Sequence, residues 1–358
     1  MHPEKTRRPG SQSRSRKAES PTNARSGILA AGNWIVDRVK LIDAWPAQDA
    51  LANISAESIS NGGGPYNVVK DLAKLEAPFP LEGLGLVGDD PDGTWIFEDC
   101  AANGIDTSQL DRHDKLPTSY TDVMSVRESG RRTFFHQRGA NTALAPAHFD
   151  FSKTNARIFY LGYLLLLDKL DRAGANGKPA AATVLARARK AGLRTVIDTV
   201  SEESQRFADV ILPCLPEVDC CIMNEFEAER TTRVKLDTEA RRNTRNLRKA
   251  ADILLEAGVR DLVVFHFLEG AYVRKANGAE AVQGSVRVTQ VAGSSGAGDA
   301  FAAGFLYGWH EEEPIETCLT YGVSAAAASL RHPSTSEGVR PLRNCLTLAK
   351  RMGFLHRT

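Results

Sequence analysis

Short apolar segments alternate with longer amphipathic segments along most of the chain. Unbroken apolar runs are typical of strands buried on both faces, whereas apolar residues three and four apart indicate helices. The predicted strands are 27–31, 84–87, 157–161, 195–197, 220–223 and 261–267. The predicted helices are 67–75, 93–103, 179–191, 239–257, 299–309, 315–330 and 341–351. The alternation predicts an α/β fold with a mostly parallel sheet that is covered by helices on both sides.

Two other segments alternate between apolar and polar residues. Residues 119–126 and 133–137 flank the turn residues 128–131, which predicts a hairpin with one exposed face. We therefore expect a small second sheet. Residues 285–291 alternate in the same way and are predicted to be extended ahead of the helix at 299–309.

Composition narrows the class of protein. The chain has 358 residues, a formal charge of +1 and 42% hydrophobic residues, which fits one large α/β domain or two smaller ones. A net charge so close to zero does not indicate a protein that binds nucleic acid. No apolar run approaches the ~18 residues that a membrane-spanning helix needs. The six cysteines show no C-x-x-C spacing, which predicts reduced thiols in a cytoplasmic protein without a zinc site.

Residues 1–26 differ from the rest, because Lys, Arg, Ser and Pro dominate there and few residues can be buried. We expect a disordered basic tail, followed by the folded domain at 27–358. A transit peptide or a nucleic-acid-binding arm is the alternative, and the second of these predicts salt-sensitive binding by the tail. The tail lacks a clean amphipathic pattern, so no nucleic acid partner is expected.

Three nucleotide or metal motifs are excluded by their context. The G-x-G-x-x-G at 83–88 lies within a predicted strand, whereas a dinucleotide fingerprint lies between a strand and a helix. Residues 89–93 resemble part of a calcium loop, but Gly88 stands where the first ligand should be. The sequence contains no Walker-type G-x-x-x-x-G-K-[ST].

The stretch at 293–299, Gly-Ser-Ser-Gly-Ala-Gly-Asp, is a glycine-rich turn that leads into an apolar helix. Glycines let the backbone approach a ligand, and the free N–H groups at a helix start bind anions. Asp299 would repel such an anion, but it becomes useful if it accepts a proton from a group that attacks the anion. An N-terminal helix cap is the alternative role for Asp299.

Three further clusters fit the same chemistry. The glycines at 62–64 precede a predicted helix that presents Asn67, which is suited to hydrogen bonds with a polyol. Asp37 follows a strand and can accept hydrogen bonds from hydroxyl groups. Asn224 and Glu227, three apart after a buried strand, can hold a hydrated magnesium ion. The alternative for the 62–64 segment is a flexible turn, and the alternative for Asp37 is a surface turn. Asn224 and Glu227 could instead be only the start of a helix with acidic residues in its first turn.

In their order along the chain, these motifs resemble the ribokinase-like (PfkB-type) carbohydrate kinase family over about residues 27–345. The matching pieces are Gly32 with Asp37, Gly62-Gly63 with Asn67, Val87-Gly88-Asp89-Asp90 with Gly93, Gly104-Ile105-Asp106, Arg132-Thr133-Phe134, Asn224-x-x-Glu227 and Gly296-Ala297-Gly298-Asp299-Ala300-Phe301. The resemblance implies a three-layer α/β sandwich with a mostly parallel central sheet. It also implies a small β-sheet lid drawn from about 34–60 and 117–138.

The resemblance further implies ATP-dependent transfer of a phosphoryl group to a hydroxyl of a small sugar, with Asp299 as general base. The implied anion hole consists of the backbone amides of Gly296, Ala297 and Gly298. The residues implied to bind ATP and Mg²⁺, the latter through water, are Asn224, Glu227 and Gly270. The residues implied to hold the sugar are Asp37, Gly63, Gly64 and Asn67. A homodimer formed through the lid is a further implication.

The chain departs from the family pattern at two places. Gly293 stands where the family usually carries Asp, which weakens the expectation of a monovalent-cation site. Phe267 replaces a glycine of the usual Thr-x-Gly-x-x-Gly, of which Gly270 remains, and a phenylalanine there can crowd a phosphate or a nucleobase. These departures leave a non-catalytic sugar-binding relative as an alternative function.

The substrate is expected to contact the segment after the hairpin. Arg138 suits a phosphorylated or acidic sugar, whereas His136 and Asn141 suit neutral hydroxyls. A solvated strand end is the alternative for this segment. Adenosine kinases carry a similar Ala-Asn pair in this region, so a nucleoside kinase is the alternative within the family.

Overall fold

The computed structural model describes residues 25–129, 131–174, 177–236 and 244–355. The basic tail predicted at 1–26 lies outside the described residues, except for its last two positions. The first residues of the helix predicted at 239–257 also lie outside them.

Thirteen strands occur in the described part of the chain and form two sheets. In chain order they are β1 (Ile28–Gly32), β2 (Ile35–Ile42), β3 (Ile54–Gly62), β4 (Leu81–Gly88), β5 (Asp106–His113), β6 (Ser119–Val126), β7 (Arg132–Gln137), β8 (Ile158–Leu164), β9 (Arg194–Thr199), β10 (Cys220–Asn224), β11 (Leu262–Phe267), β12 (Gly270–Lys275) and β13 (Glu280–Gly284).

The larger sheet has nine strands in the order β13-β12-β11-β10-β9-β8-β1-β4-β5. Neighbouring strands are parallel, except that β12 is antiparallel to both β11 and β13. The prediction of a mostly parallel sheet is confirmed. Because the parallel strands point the same way, their carboxyl ends meet along one border of the sheet, where sites of α/β proteins are found.

Helices cover both faces of this sheet. The α-helices are α1 (Gly64–Lys74), α2 (Pro91–Ala102), α3 (Asp168–Asp171), α4 (Ala180–Lys190), α5 (Phe207–Ile211), α6 (Glu225–Thr232), α7 (Thr244–Glu256), α8 (Ala297–His310), α9 (Ile315–Ser329) and α10 (Leu342–Met352). Strand β1 shows why both faces need cover. Its alternate residues Ile28 and Ala30 belong to one apolar cluster, and Leu29 and Ala31 belong to the other.

The smaller sheet has four strands in the order β3-β2-β6-β7. Strands β2 and β6 are parallel, whereas β2–β3 and β6–β7 are antiparallel. The hairpin predicted at 119–126 and 133–137 is the β6–β7 pair, in which Thr121 lies opposite His136. The prediction of a small second sheet is confirmed.

One predicted strand is wrong, and several strands escaped prediction. The segment at 285–291 forms only an isolated bridge between Val286 and Phe354, because it pairs with the end of the chain and not with a strand. Strands β2, β3, β5, β12 and β13 were not predicted from the hydrophobic pattern, although the lid segment expected at 34–60 contains β2 and most of β3. Of these, β3, β5 and β13 lie at an outer edge of their sheets and carry many polar or exposed residues, so the apolar pattern that marks a buried strand is weak there.

None of the helices in the described ranges is long and apolar enough to cross a bilayer. The six cysteines are free and buried. Burial raises the pKa of these thiols, to about 12 for Cys100, so they are inert structural residues.

Candidate active site

A cavity of about 500 Å³ lies between the carboxyl ends of the parallel strands and the four-stranded sheet. Tyr163, Asp198 and Asn224 line it from the ends of β8, β9 and β10. Asp37 and Thr121 line it from the four-stranded sheet. The cavity therefore joins polar side chains from both sheets.

The glycine-rich turn enters this cavity at the start of α8. Gly296 is the N-cap and has a φ of 75°, a left-handed conformation that suits glycine. A Cβ at this position would lie 2.4 Å from Cγ2 of Thr335. The turn places Asp299 on the first helical turn, lining the cavity, with only 5% of its surface exposed.

Two donors hold the Asp299 carboxylate. Nδ2 of Asn67 donates to Oδ2 at 2.8 Å, and the hydroxyl of Tyr163 donates to Oδ1 at 2.6 Å. Burial raises the pKa of Asp299 to about 6, although both hydrogen bonds oppose that rise. The carboxylate is therefore ionised at neutral pH, while remaining basic enough to accept a proton.

Asn67 is itself fixed by a second pair of hydrogen bonds. Nδ2 of Asn61 donates to Oδ1 of Asn67 at 2.7 Å and to Oγ of Ser336 at 2.8 Å. Because the carbonyl oxygen of Asn67 already accepts from Asn61, its NH₂ group is directed at Asp299. These residues are almost fully buried, so the arrangement is shielded from water.

The four-stranded sheet contributes a second carboxylate, Asp37. The pKa of Asp37 is raised to about 7, mainly by burial and also by Asp299, while Thr121 and Arg132 oppose the rise. A Cβ at Gly62 would lie 2.3 Å from Oδ1 of Asp37, so the glycine leaves room for this carboxylate. Asp37 is thus an acceptor suited to the hydroxyl groups of a bound polyol.

His136 lies beside Asp37 on the same wall of the cavity. Its Nδ1 is 3.1 Å from Oγ1 of Thr121, and its Nε2 is buried without a hydrogen-bond partner among the described residues. Burial, with Arg138 adding to its effect, lowers the pKa of His136 to about 4. The imidazole is therefore neutral and leaves one ring nitrogen for a ligand.

Arg132 connects the four-stranded sheet to the glycine-rich turn. Its Nη1 donates to Oγ of Ser295. Asp37 lies near enough to raise the pKa of the Arg132 guanidinium, although burial has the larger and opposite effect and lowers it. One side chain thus touches both halves of the site.

Asn224 and Glu227 form a capping box at the start of α6. Oδ1 of Asn224 accepts from the Glu227 amide at 2.9 Å, and Oε2 of Glu227 accepts from the Asn224 amide at 3.0 Å. Ser201 also donates to Oε1 of Glu227 at 3.0 Å. Both residues line the cavity, so the helix start and the site share these side chains.

Several buried carboxyl groups crowd the wall around Glu227. Burial raises the pKa of Glu227, and the nearby Asp299 raises it further. Burial also raises the pKa of Asp198 well above its usual value, and Glu227 and Asp299 add to that rise. Within the described residues, no cluster of three or more His, Cys, Asp or Glu side chains could hold a metal directly. The carboxylate and amide oxygens of Glu227 and Asn224 are the donor types that suit a hydrated Mg²⁺.

The cavity brings together most of the residues that the sequence singled out: Asp37, Gly63, Asn67, Asn224, Glu227, Gly296, Gly298 and Asp299. Their roles stay predictions. Gly64 is the first residue of α1, next to Tyr163, and the Ala297 amide donates to the Ser294 carbonyl at 3.4 Å. Gly270 begins β12, with its backbone against Gln283.

Three other residues lie in different surroundings from those expected. Arg138 pairs with Asp168 at 2.5 Å and with Glu202 at 3.5 Å. Asn141 is fully buried, and its amide bonds to both the N–H and the carbonyl of Trp34 at 3.2 Å. Phe267 packs within the apolar core.

Sequence reasoning did not single out Tyr163, Asp198 and His266, which also line the cavity. Tyr163 and Asp198 stand near the carboxyl ends of their strands, and that position was the available signal. His266 lies under the glycine-rich turn, where a Cβ on Gly298 would be 2.9 Å from its Cε1. Desolvation lowers the pKa of His266 to about 4, so it is neutral.

Curated relatives match most of the chain. A 5-dehydro-2-deoxygluconokinase from Lacticaseibacillus casei is 25% identical over 296 residues, which cover 78% of this chain and 82% of the relative. An ATP-dependent ribose-1-phosphate kinase from Halopiger xanaduensis is 26% identical over 308 residues, which cover 84% and 90%. The similarity therefore extends over most of each protein.

A solved structure confirms the fold. Arabidopsis thaliana ribokinase complexed with ribose and ATP superposes with a TM-score of 0.75 at 20% identity, over 91% of this chain and 99% of the ribokinase. The ribokinase-like fold is thereby shown. Residues 31–341 also match the sequence family described as pfkB family carbohydrate kinase. The chain accordingly belongs to the PfkB family of carbohydrate kinases, which are phosphotransferases with an alcohol group as acceptor.

Proposed function

We propose that this kinase phosphorylates a hydroxyl group of a small neutral sugar, with Asp299 as general base. The observation that carries the proposal is the position of the Asp299 carboxylate. It lines one cavity with the glycine-rich turn and with Asp37, and Asn67 and Tyr163 hold it in place. A base in this position can take a proton from a hydroxyl that the Asp37 side of the cavity holds.

Phosphoryl transfer depends on positioning and on charge stabilisation. We assign the negative charge that develops on the transferred group to the start of α8, where the amides of Gly296, Ala297 and Gly298 form the anion hole. The positive end of the α8 dipole supports this role. The four-stranded sheet would act as the lid that excludes water from the reacting groups.

The donor would be ATP with Mg²⁺, bound on the side of the cavity that Asn224 and Glu227 line. When bound, the metal neutralises charge on the phosphates. The crowded carboxyl groups of Glu227 and Asp198 support a cation there, since a cation would favour their ionised forms. Because Phe267 packs in the apolar core, we do not expect it to crowd the phosphates or the nucleobase of ATP.

The charges of the cavity support a neutral acceptor. No Lys or Arg side chain is among the described residues that line it, whereas Asp37, Asp198, Glu202, Glu227 and Asp299 all do. The two lining histidines have pKa values lowered to about 4 and are neutral. Arg138, which suited an acidic sugar, is neutralised by Asp168 and Glu202. The acceptor therefore differs in charge from ribose 1-phosphate.

A nucleoside is the second candidate acceptor, and Phe134 supports it. The Phe134 side chain lines the cavity, and 58% of its surface is exposed. An exposed aromatic ring can stack on a nucleobase, at about 1–3 kcal/mol per base in single-strand complexes. It can equally cover the apolar face of a sugar.

A ligand panel measured by thermal shift is expected to separate these candidates. A ligand at 100 times its Kd stabilises the folded protein by about 2.7 kcal/mol, so binding is visible without turnover. We expect neutral sugars or nucleosides to raise the melting temperature and sugar phosphates or sugar acids to leave it unchanged. A shift confined to acidic sugars would contradict the neutral acceptor, and binding without turnover in Mg-ATP would favour a non-catalytic protein.

The Asp37→Asn variant tests the acceptor half of the site. Losing a hydrogen bond to a charged acceptor costs about 1.5–3 kcal/mol, so KM for the acceptor should rise about 10- to 100-fold. KM for Mg-ATP should stay within about twofold, because the donor side is untouched. The matched control is Asp122→Asn on β6, whose carboxylate pairs with Lys40. Equal effects of both substitutions on acceptor KM would remove Asp37 from the substrate contacts.

A further inference from the structure

A second cavity of about 480 Å³ lies between the end of α9 and the side of α10. Its lining shares no residue with the cavity that contains Asp299. Ala328 and Leu348 supply apolar surface, while Asn344 and Thr347 supply polar groups. The cavity thus has the size and the mixed lining of a small-molecule site.

Three arginines, Arg331, Arg340 and Arg351, line this second cavity. The lining includes no Asp or Glu among the described residues. Glu337, which precedes the lining residue Gly338, turns away and pairs with Lys74 at 3.0 Å. The positive charge is therefore concentrated in a protein whose formal net charge is only +1.

Two of these arginines have no hydrogen-bond or ion-pair partner among the described residues. Neither Arg331 nor Arg351 makes a side-chain hydrogen bond or an ion pair with any described residue, and both are exposed. Arg340 donates from Nη1 to the carbonyls of Glu337 at 2.7 Å and Val339 at 3.1 Å, and its other donors remain available. Arginine binds phosphate and carboxylate groups through paired hydrogen bonds, so the cluster favours a small polyanion.

The second cavity also adjoins the loop at 330–338, which packs against the glycine-rich turn at 293–299. Leu330, directly before Arg331, accepts backbone hydrogen bonds from Ala292 at 2.8 Å and Gly293 at 3.4 Å. Farther along the same loop, Thr335 packs against Gly296, where an added Cβ would lie 2.4 Å from its Cγ2. A ligand that fixes this loop would also fix the turn that leads to Asp299.

We propose that this arginine pocket is a second, regulatory site for a small polyanion with clustered phosphate or carboxylate groups. Occupancy orders the loop at 330–338 and increases turnover at the catalytic cavity. The binding part of the proposal is independent of the kinase reaction, whereas the effect on turnover rests on the proposed function.

Isothermal titration with inorganic pyrophosphate and with citrate, at constant ionic strength, tests the binding. We expect binding by the full-length protein and about 100-fold weaker binding by an Arg331→Ala/Arg351→Ala double variant, at about tenfold per lost ion pair. The control is Arg343→Ala, also on α10, whose side chain pairs with Glu76 outside the pocket. Since the replaced side chains are exposed and unpaired, the double variant should fold normally.

The outcomes separate the parts of the proposal. Binding of pyrophosphate alone identifies a phosphate ligand, whereas binding of citrate as well identifies clustered charge as the requirement. No binding of either anion, or equal binding by the double variant and the wild type, overturns the site. Turnover is then measured with excess Mg²⁺, with and without the anion. Unchanged turnover at saturating anion overturns the regulatory role but leaves the binding site standing. If the enzyme shows no turnover either with or without the anion, the proposed kinase function is contradicted instead.

Discussion

Replacing Asp299 with Asn is expected to lower kcat by at least ~10³-fold, while affinity for the acceptor changes little. The amide has nearly the shape of the carboxylate and can still bond to Tyr163, but it cannot accept the proton of the attacking hydroxyl. Initial rates with Mg-ATP give kcat, and calorimetry on the same preparation gives acceptor affinity. Asp299→Ala should show the same loss of turnover.

The pH dependence of the wild type belongs to the same prediction. Because burial raises the pKa of Asp299 to about 6, the fraction of ionised base falls as the pH drops below that value. We expect kcat/KM to fall about tenfold per pH unit there and to level off above pH 7. Turnover within tenfold of wild type in both Asp299 variants would remove this residue as base.

Replacing Asp71 with Asn is expected to stabilise the protein by about 1–3 kcal/mol at pH 8, the usual cost of a buried polar group without a partner. Asp71 lies on α1, one turn after Asn67, and is fully buried. Neither of its carboxyl oxygens makes a hydrogen bond of good geometry with a described residue, although the Ser336 hydroxyl lies close enough to favour the ionised form. An amide is uncharged, so the variant avoids the cost of burying a carboxylate.

The sign of this effect depends on pH. Burial raises the pKa of Asp71 well above its usual 3.8, with Asp299 adding to the rise and Ser336, Lys70 and Lys74 opposing it. The folded state therefore holds a proton that the unfolded state releases, and this contribution to stability disappears as the pH rises above about 4. The advantage of Asp71→Asn should grow from near zero at pH 4 to its full value at pH 8.

Urea unfolding of both proteins at pH 4 and pH 8 measures this difference in the free energy of unfolding. The control is Asp111→Asn on the edge strand β5, an exposed position where the same substitution should change stability by less than about 0.5 kcal/mol. A destabilised Asp71→Asn variant at pH 8 would show that the carboxylate has a favourable partner in solution.

The sequence predicted most of the large sheet, because its strands are apolar on both faces. It also singled out Asp299 and Asn67, which line the same cavity, since each stands at a glycine-rich helix start. It could not predict that Asn67 donates to Asp299, because 232 positions separate them and only the packing of α1 against α8 brings them together.

The polar segment after the hairpin shows why other site residues could not be assigned. Arg138 and Asn141 have the chemistry of ligand contacts, but residues distant in sequence determine what they bind. Asp168 and Glu202 come from other loops to pair with Arg138, and the backbone of Trp34 occupies the Asn141 amide. Tyr163 is the converse case, since only its position near the carboxyl end of β8 marks it, and its apolar neighbours do not indicate a donor to Asp299.

The division of the site between two sheets has an evolutionary consequence. Asp37, Thr121, Phe134 and His136 all belong to the four-stranded sheet, whereas Asp299 and Glu227 belong to helices that pack on the nine-stranded one. Mutations at a few positions of the four-stranded sheet could therefore change the acceptor specificity during evolution without changing the residues proposed to carry out phosphoryl transfer. Exchanging those strands between homologous kinases would be a direct way to change the acceptor specificity.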